Sequence, residues 1–488
     1  MSRLIPAQLQ AWSKGTLVQS EQVKQLSDRF YRGISTDTRT LRRGQVFLAL
    51  KGPNFDGHDF VSKAIEGGAL MLVLNRETMV AKELTERLQR GEDLPDLLLV
   101  DDTLKAYQAI AEGYRLTLLA TVVGITGSVG KTTTRRMTSA VMNTQMKVHQ
   151  TKENLNNQIG LPLTLLQADD ADDVIVAEMG MDHRGEIGIL SKTAHPDIAI
   201  ITSIGYSHAE YLGSREEILK EKTDIIRGLK KNGLVLINGQ DEFLHEWALQ
   251  NNEQTIWRIV NSKAEVEAKG LGDLPVFWAE DLRIGHFSTE FIAKTSLDLN
   301  EAWPVKIPCP GKHLVRAALF GLAAAYALGL DMTQAVQGCS EFSNTGNRQR
   351  IVELDGVLLI DDSYNSSPES NTSALDTLQL IAEQRQGKRF VCISGMKELG
   401  QYSAEMHRMI GEKLAQMELE HIYLVGEESA WIAEVLANKI SDDKFTLCAD
   451  SQAVKMQIKD RVHTGDTVLI KGSRFYKMEV IAQGLEGR

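Results

Sequence analysis

Residues 126–132 read Thr-Gly-Ser-Val-Gly-Lys-Thr, a set of side chains whose types and spacing suit a bound phosphate. Gly127 and Gly130 let the backbone turn its N–H groups inward, Lys131 brings a cation, and the hydroxyls of Ser128, Thr132 and Thr133 stand around it. The β-branched run 121–123 precedes the loop and a segment of helical character follows, so the stretch reads as strand, phosphate loop, helix. The helix start adds N–H donors and the positive end of a dipole, and the hydroxyl of Thr132 is placed to ligate Mg²⁺. The widespread form G-x-x-x-x-G-K-[ST] asks for glycine at position 125; this chain has Ile125, and its own form is T-G-x-x-G-K-T.

Other chemically able residues fall at the ends of apolar runs. Glu178 closes the run 174–177, which has the character of a buried parallel strand. Ligands of open parallel sheets sit at the carboxyl ends of strands, so Glu178 reads either as a Mg²⁺ ligand or as a cap on the following loop. Segment 197–208 repeats the pattern and ends in Ser207 and His208, where a histidine is either a satisfied structural group or part of a site. Lys222 lies in a charged helix, 214–230, whose other charges are expected to face solvent; the apolar face that follows it turns Lys222 inward. Asn154, Asn156 and Asn157 are too closely spaced for a helix interior and suit a loop that holds a polar ligand or caps a helix.

These residues need strands and helices to carry them. A chain of 488 residues exceeds what one hydrophobic core usually serves, and the pattern divides into units 1–117, 118–340 and 341–488. The first is small α/β material with strands at 46–52 and 97–100 and a polar cluster at 34–41, where Asp37 and Arg39 are either a structural pair or part of a ligand site. The second carries the phosphate loop, parallel strands to residue 238, an antiparallel extension over 255–307 and an alanine-rich helix over 311–330. The third alternates strands and helices as a doubly wound domain, delivering Asp361, Asp362, Tyr364 and Asn365 from one strand, Lys397 and Glu398 from the next, and Lys471 and Arg474 from the last. It has no second phosphate fingerprint, which suits a unit that brings a co-substrate or closing residues to the central nucleotide rather than binding its own.

Composition bounds the function. Lys+Arg 54 against Asp+Glu 65 gives a net charge of −11, which argues against a broad nucleic-acid footprint. The four cysteines lack metal-ligand spacing and read as small buried hydrophobes in a reducing compartment. The N-terminus shows no secretion signal and no apolar run is long enough for an integral membrane segment, so a cytoplasmic protein is expected.

The ordered segments TGSVGKTTT, TKENLNNQIGLP, AEMGMDHRGEI, TSIGYSHAEYLGS, IDDSYNSSPES and KGSRFYKME resemble those of the bacterial muramyl peptide ligases, the Mur ligase family. STDTR and FLALKGPNFDGHDF extend the likeness into the first unit, so it covers essentially the whole chain. The resemblance implies an α/β protein of three-domain Mur ligase architecture: an N-terminal UDP-substrate-binding domain, a central P-loop parallel-sheet domain that binds ATP, and a C-terminal doubly wound, Rossmann-like domain. It implies an ATP- and Mg²⁺-dependent amide ligase that joins D-alanyl-D-alanine to UDP-N-acetylmuramoyl-tripeptide through an acyl phosphate, acting as a monomer. Lys131, His208 and Lys222 match catalytic positions. Gly127, Ser128, Gly130, Lys131, Thr132, Thr133, His313, Arg348, Asp362 and Asn365 match ATP-binding positions. Ser35, Thr36, Asp37, Arg39, Asn154, Asn156, Asn157, Tyr364, Lys471 and Arg474 match substrate positions. Thr132, Glu178, His208 and Lys222, the last as a carbamate, match metal positions.

The chain departs from the family pattern at several places. Leu314 and Ala317 stand where asparagines are usual, Gly395 where aspartate is usual and Ser203 where asparagine is usual, and Asn347 intervenes before Arg348. The alternatives are a related ligase acting on a different amine or nucleotide-linked acid, and a P-loop nucleotide switch.

Overall fold

Short apolar runs alternating with amphipathic segments form three main sheets in the computed structural model, which describes residues 3–19, 30–251, 253–344, 346–383 and 385–487. The N-terminal strands are β1 (Arg3–Leu4), β2 (Thr16–Val18), β3 (Tyr31–Arg32), β4 (Ile34–Ser35), β5 (Val46–Leu48), β6 (Met71–Asn75) and β7 (Asp96–Val100). Strands β1 and β3 pair alone, while the other five form a sheet in the order β2-β7-β6-β5-β4, parallel except for β2. Helix Thr103–Arg115 leads out of it, capped by the Asp102 carboxylate, which accepts from Leu104 N and Lys105 N. Its apolar face shares one core cluster with helices Gly160–Gln167 and Glu186–Ala194 of the next unit. Buried Arg115 ties the two units by donating to the carbonyls of Ala194 and Leu118 at 2.9 and 3.1 Å.

The central strands are β8 (Thr121–Thr126), β9 (Val148–Gln150), β10 (Val174–Glu178), β11 (Ile198–Ile201), β12 (Leu234–Asn238), β13 (Thr255–Ile259), β14 (Val276–Ile284), β15 (Thr289–Thr295) and β16 (Trp303–Ile307), in the order β16-β15-β14-β13-β12-β11-β8-β10-β9. Strands β8, β10, β11 and β12 are apolar along most of their length because helices cover both faces, as parallel strands require. Segment 255–307, expected as an antiparallel extension, divides. Helix Glu242–Gln250 crosses over and sets β13 parallel to β12, β14 joins parallel to β13, and only the β14–β15 and β15–β16 pairings are antiparallel. The alanine-rich helix, Lys312–Ala327, packs on the phosphate-loop helix Lys131–Met142 within a second core cluster. The charged helix ends at Thr223 and continues as a single 3₁₀ segment, Asp224–Gly228.

The last sheet holds β17 (Arg350–Leu354), β18 (Val357–Asp362), β19 (Arg389–Ser394), β20 (His421–Val425), β21 (Phe445–Cys448) and β22 (Thr467–Lys471) in the order β17-β18-β22-β19-β20-β21. It is parallel apart from β17 and has an apolar cluster on each face, the arrangement of a doubly wound domain. All four cysteines are free; Cys339, Cys392 and Cys448 are buried and Cys309 is half-buried. Among the described residues no helix is long and apolar enough to cross a membrane.

Candidate active site

The carboxyl ends of β8, β10, β11 and β12 open onto a cleft of about 1180 Å³ that residues of the C-terminal sheet close from the other side. Strand β8 runs into the phosphate loop, where Gly127 has φ +142° and an added Cβ would lie 1.9 Å from Thr202 Oγ1, so only glycine is accommodated. Lys131 Nζ donates to the Gly127 and Ser128 carbonyls at 2.7 and 3.2 Å. Burial lowers the Lys131 pKa, opposed by the negative charge of Glu178.

Glu178 lines the cleft and is only 2 % exposed. Its Oε1 accepts from Thr132 Oγ1 at 3.2 Å and from Asn156 Nδ2 at 2.8 Å. Its Oε2 is buried without a hydrogen-bond partner and lies 3.7 Å from Arg135 Nε. A buried carboxylate oxygen without a donor is costly unless a cation meets it; the Arg135 guanidinium does so at 3.7 Å, and the oxygens of Thr132 and Glu178 are donors of the type that fits Mg²⁺.

The asparagines divide their work. Asn156 holds Glu178, and Asn157 Oδ1 accepts from Ile159 N and Gly160 N at 3.1 and 2.9 Å, capping helix Gly160–Gln167. Asn154 lines the cleft. Lys222 is buried, 1 % exposed, and its pKa is lowered well below the ordinary lysine value by burial first and by the nearby Lys131 charge second. The neighbouring Glu221 is engaged elsewhere, accepting from Gly185 N and Ile187 N at 2.6 and 2.9 Å. His208, in a left-handed conformation at φ +66°, sets its Nδ1 2.8 Å from Glu398 Oε2 and 3.6 Å from Asp182 Oδ1. Its hydrogen bond holds the Glu398 carboxyl below the usual range.

From the C-terminal sheet, Lys471 pairs with Asp362 at 3.0 Å and also donates to the Asn365 carbonyl. The guanidinium carbons of Arg348 and Arg474 lie 3.8 and 4.1 Å from the centre of the Tyr364 ring. Thus Lys131, Thr132, Glu178, His208, His313, Arg348, Asp362, Tyr364, Asn365 and Lys471 share the cleft wall. Ser35, Thr36, Asp37 and Arg39 lie apart on the first unit, where Arg39 Nη2 and Asp37 Oδ2 form an ion pair at 2.6 Å.

Three family models match the chain: the Mur ligase family catalytic domain over 30–115, the Mur ligase middle domain over 125–325, and the Mur ligase glutamate ligase domain over 347–474. The UDP-N-acetylmuramoyl-tripeptide–D-alanyl-D-alanine ligase of Bacillus subtilis is 34% identical over 97% of this chain and 96% of its own length. The chain belongs to the Mur ligase family. The Escherichia coli enzyme of the same name is 31% identical to this Mur ligase, with 93% of each chain covered. Among solved structures, MurF from Acinetobacter baumannii matches with a TM-score of 0.86 at 27% identity over 100% of both chains. MurF from Thermotoga maritima in complex with ADP matches with a TM-score of 0.78 at 27% identity, covering 95% of this chain and 99% of that one.

The departures have packing reasons in this ligase. Leu314 faces the core cluster beneath the central sheet, whereas Ala317 packs on that cluster and also lines the cleft beside Lys312, His313 and Arg316. His313 lies against Ser373 Oγ at 3.3 Å, and burial lowers its pKa to about 4. At Gly395 a Cβ would lie 2.7 Å from Glu428 Oε2, and Glu428 occupies that space while binding Lys397 and Tyr476. Ser203 accepts from Val129 N at 3.1 Å, steadying the phosphate loop.

Two cleft residues escape a reading by strand ends. Arg316 donates to Gln240 Oε1 at 3.1 Å, and its three-residue spacing from His313 on one helix face is the signal that could have found it. Glu369, two residues past the cap Ser367 of helix Pro368–Ala382, has no comparable signal, because its partner is distant in sequence.

Proposed function

We propose that this Mur ligase joins D-alanyl-D-alanine to UDP-N-acetylmuramoyl-tripeptide in peptidoglycan precursor synthesis, with ATP as energy source, as a cytoplasmic monomer. We place its unit boundaries at 117/118 and 340/341. The names of the Bacillus and Escherichia relatives support the substrates. The carrying observation within the structure is the buried Glu178 carboxylate, with one oxygen held by Thr132 and Asn156 and the other without a donor, beside Lys131.

The chemistry follows from charge. The tripeptide carboxylate attacks the γ-phosphorus of ATP; an O–P bond forms, the bond to the β,γ-bridging oxygen breaks, and ADP leaves with the electron pair. The neutral amine of the dipeptide then attacks the acyl carbon; a C–N bond forms, the C–O bond to phosphate breaks, and the nitrogen sheds a proton. Two anions meet in the first step, so Lys131 and the phosphate-loop N–H groups of Gly127, Gly130, Thr132 and Thr133 absorb charge as it develops, while the Ser128 amide is held by the Ser203 carbonyl.

Thr132, Glu178 and His208 would hold Mg²⁺, which neutralises phosphate oxygens when bound. Lys222 is the residue to carry a carbamate, since its depressed pKa favours the neutral amine that adds CO₂. His313, Arg348, Asp362 and Asn365 hold the nucleotide from the helix and C-terminal sides. Asn154, Asn156 and Asn157 face the acid, Tyr364, Lys471 and Arg474 face the amine, and Ser35, Thr36, Asp37 and Arg39 face the UDP end.

The test is purified protein with UDP-linked muramyl tripeptide, D-alanyl-D-alanine, ATP and Mg²⁺, followed by phosphate release and product mass. One phosphate per new amide is expected. Turnover only with another amine or acid rejects these substrates and keeps the ligase class; ATP hydrolysis without any amide rejects the ligase reading.

A further inference from the structure

The loop 202–206 after β11 stands between the phosphate loop and the C-terminal unit. On one side it is stitched to the phosphate loop: Ser128 N donates to Ser203 O at 2.9 Å, Val129 N to Ser203 Oγ at 3.1 Å, and Gly205 N to Ser128 Oγ at 2.8 Å. Thr202 Oγ1 adds a bond to Val129 O at 2.6 Å. On the other side the next amide, Tyr206 N, donates to Glu369 Oε1 at 3.0 Å.

Gly205 is the hinge piece between the two. A Cβ there would lie 2.2 Å from Glu369 Oε1 and 2.6 Å from its Cδ, so the carboxylate rests directly on bare backbone. The second oxygen, Oε2, is buried without a hydrogen-bond partner. A carboxylate is a poor choice for packing alone, because burying it half-satisfied is unfavourable; its strength lies in the charge-assisted bond to an amide. The same unit grips the following residues as well, through Glu210 N to Glu398 O at 3.1 Å, Gln401 Nε2 to Gly213 O at 3.2 Å, and the rings of Tyr206 and Tyr402 at 5.1 Å.

We infer that Glu369 is a positioning residue: by taking the Tyr206 amide proton it fixes loop 202–206, and through Gly205 and Ser128 it sets the phosphate loop only when the C-terminal unit is docked. The consequence for the ligase reading, on which the kinetic arm rests, is that phosphoryl transfer is tied to arrival of the amine-bearing unit. ATP is then less exposed to wasteful hydrolysis in the undocked state.

The first test needs no substrate. Amide hydrogen exchange is compared in wild type, Glu369→Ala and Glu369→Gln under conditions where all three show the same far-ultraviolet spectrum. Exchange at Ser128, Val129, Gly205 and Tyr206 is expected to rise about tenfold in Glu369→Ala and to return close to wild type in Glu369→Gln, whose amide oxygen still accepts from Tyr206 N. Unchanged exchange at Ser128 and Val129 in Glu369→Ala overturns the inference. The second test is a double-variant cycle on amide formation with the tripeptide nucleotide and dipeptide. Gly205→Ala and Glu369→Ala each lower kcat, by about tenfold, but the pair together is no worse than Gly205→Ala alone, because the added methyl and the carboxylate compete for one space. Multiplying effects overturn the coupling. An inactive wild type rejects the proposed substrates, and the exchange result still decides the role of Glu369.

Discussion

Replacing Lys222 with methionine isolates the consequence of burying a lysine amine. Methionine keeps a long flexible side chain of similar length, so the packing change is small. In the unfolded chain the lysine titrates at its ordinary value, 10.5, whereas burial and the Lys131 charge set the folded value well below it. Between the two values the unfolded chain binds one proton more than the folded protein, so wild-type stability rises with pH across that window and falls as pH drops.

Each pH unit inside the window is worth about 1.4 kcal/mol. Lys222→Met lacks this slope. Its stability relative to wild type is therefore expected to increase by about 1.4 kcal/mol per unit as pH is lowered from about 10 towards 8 in CO₂-free buffer. Urea unfolding followed by tryptophan fluorescence reads the difference, because Trp247, Trp257, Trp278 and Trp303 lie in the unit that contains Lys222. Added bicarbonate should stabilise wild type and leave Lys222→Met unmoved, as a group that binds only the folded state must. A difference that stays flat from pH 10 to 8 would mean that the fold keeps the ammonium, and carbamate formation at Lys222 would then lack its nucleophile.

Three further outcomes follow from single contacts. Glu178→Gln is expected to lower the ligation rate by about 100-fold or more while leaving secondary structure intact, as judged by the phosphate-release assay beside circular dichroism. The His313 pKa of about 4 lies below the ordinary 6.5, so the unfolded chain takes the proton first, and wild type should lose stability relative to His313→Gln as pH falls from 6.5 to about 4. Equal pH dependence of the two would refute the burial of a neutral ring. Gly395→Asp drives a carboxylate into Glu428 and is expected to destabilise the C-terminal unit by about 1–3 kcal/mol in thermal unfolding, with part of the loss recovered in Gly395→Asp/Glu428→Ala.

Much of this arrangement is written locally. The glycines, lysine and threonines of 126–132 and the apolar runs ending in Glu178 and Asn238 determine strand, loop and cleft side, because a parallel strand must be apolar where helices cover it and polar where it exits. The order of motifs determined the family. What the sequence left open was which polar groups meet. Asn156 and Asn157 look alike in the chain, yet one holds Glu178 and the other caps a helix, since their side chains leave the loop in different directions. Leu314 acquires its meaning from the core it fills, and Gly395 from Glu428, thirty-three residues away. Glu369 reaches Tyr206 across 163 residues of sequence. Local pattern carries backbone propensity and burial, which act over a few residues; the pairing of a carboxylate with a distant amide is decided only when two separately folded units come into contact.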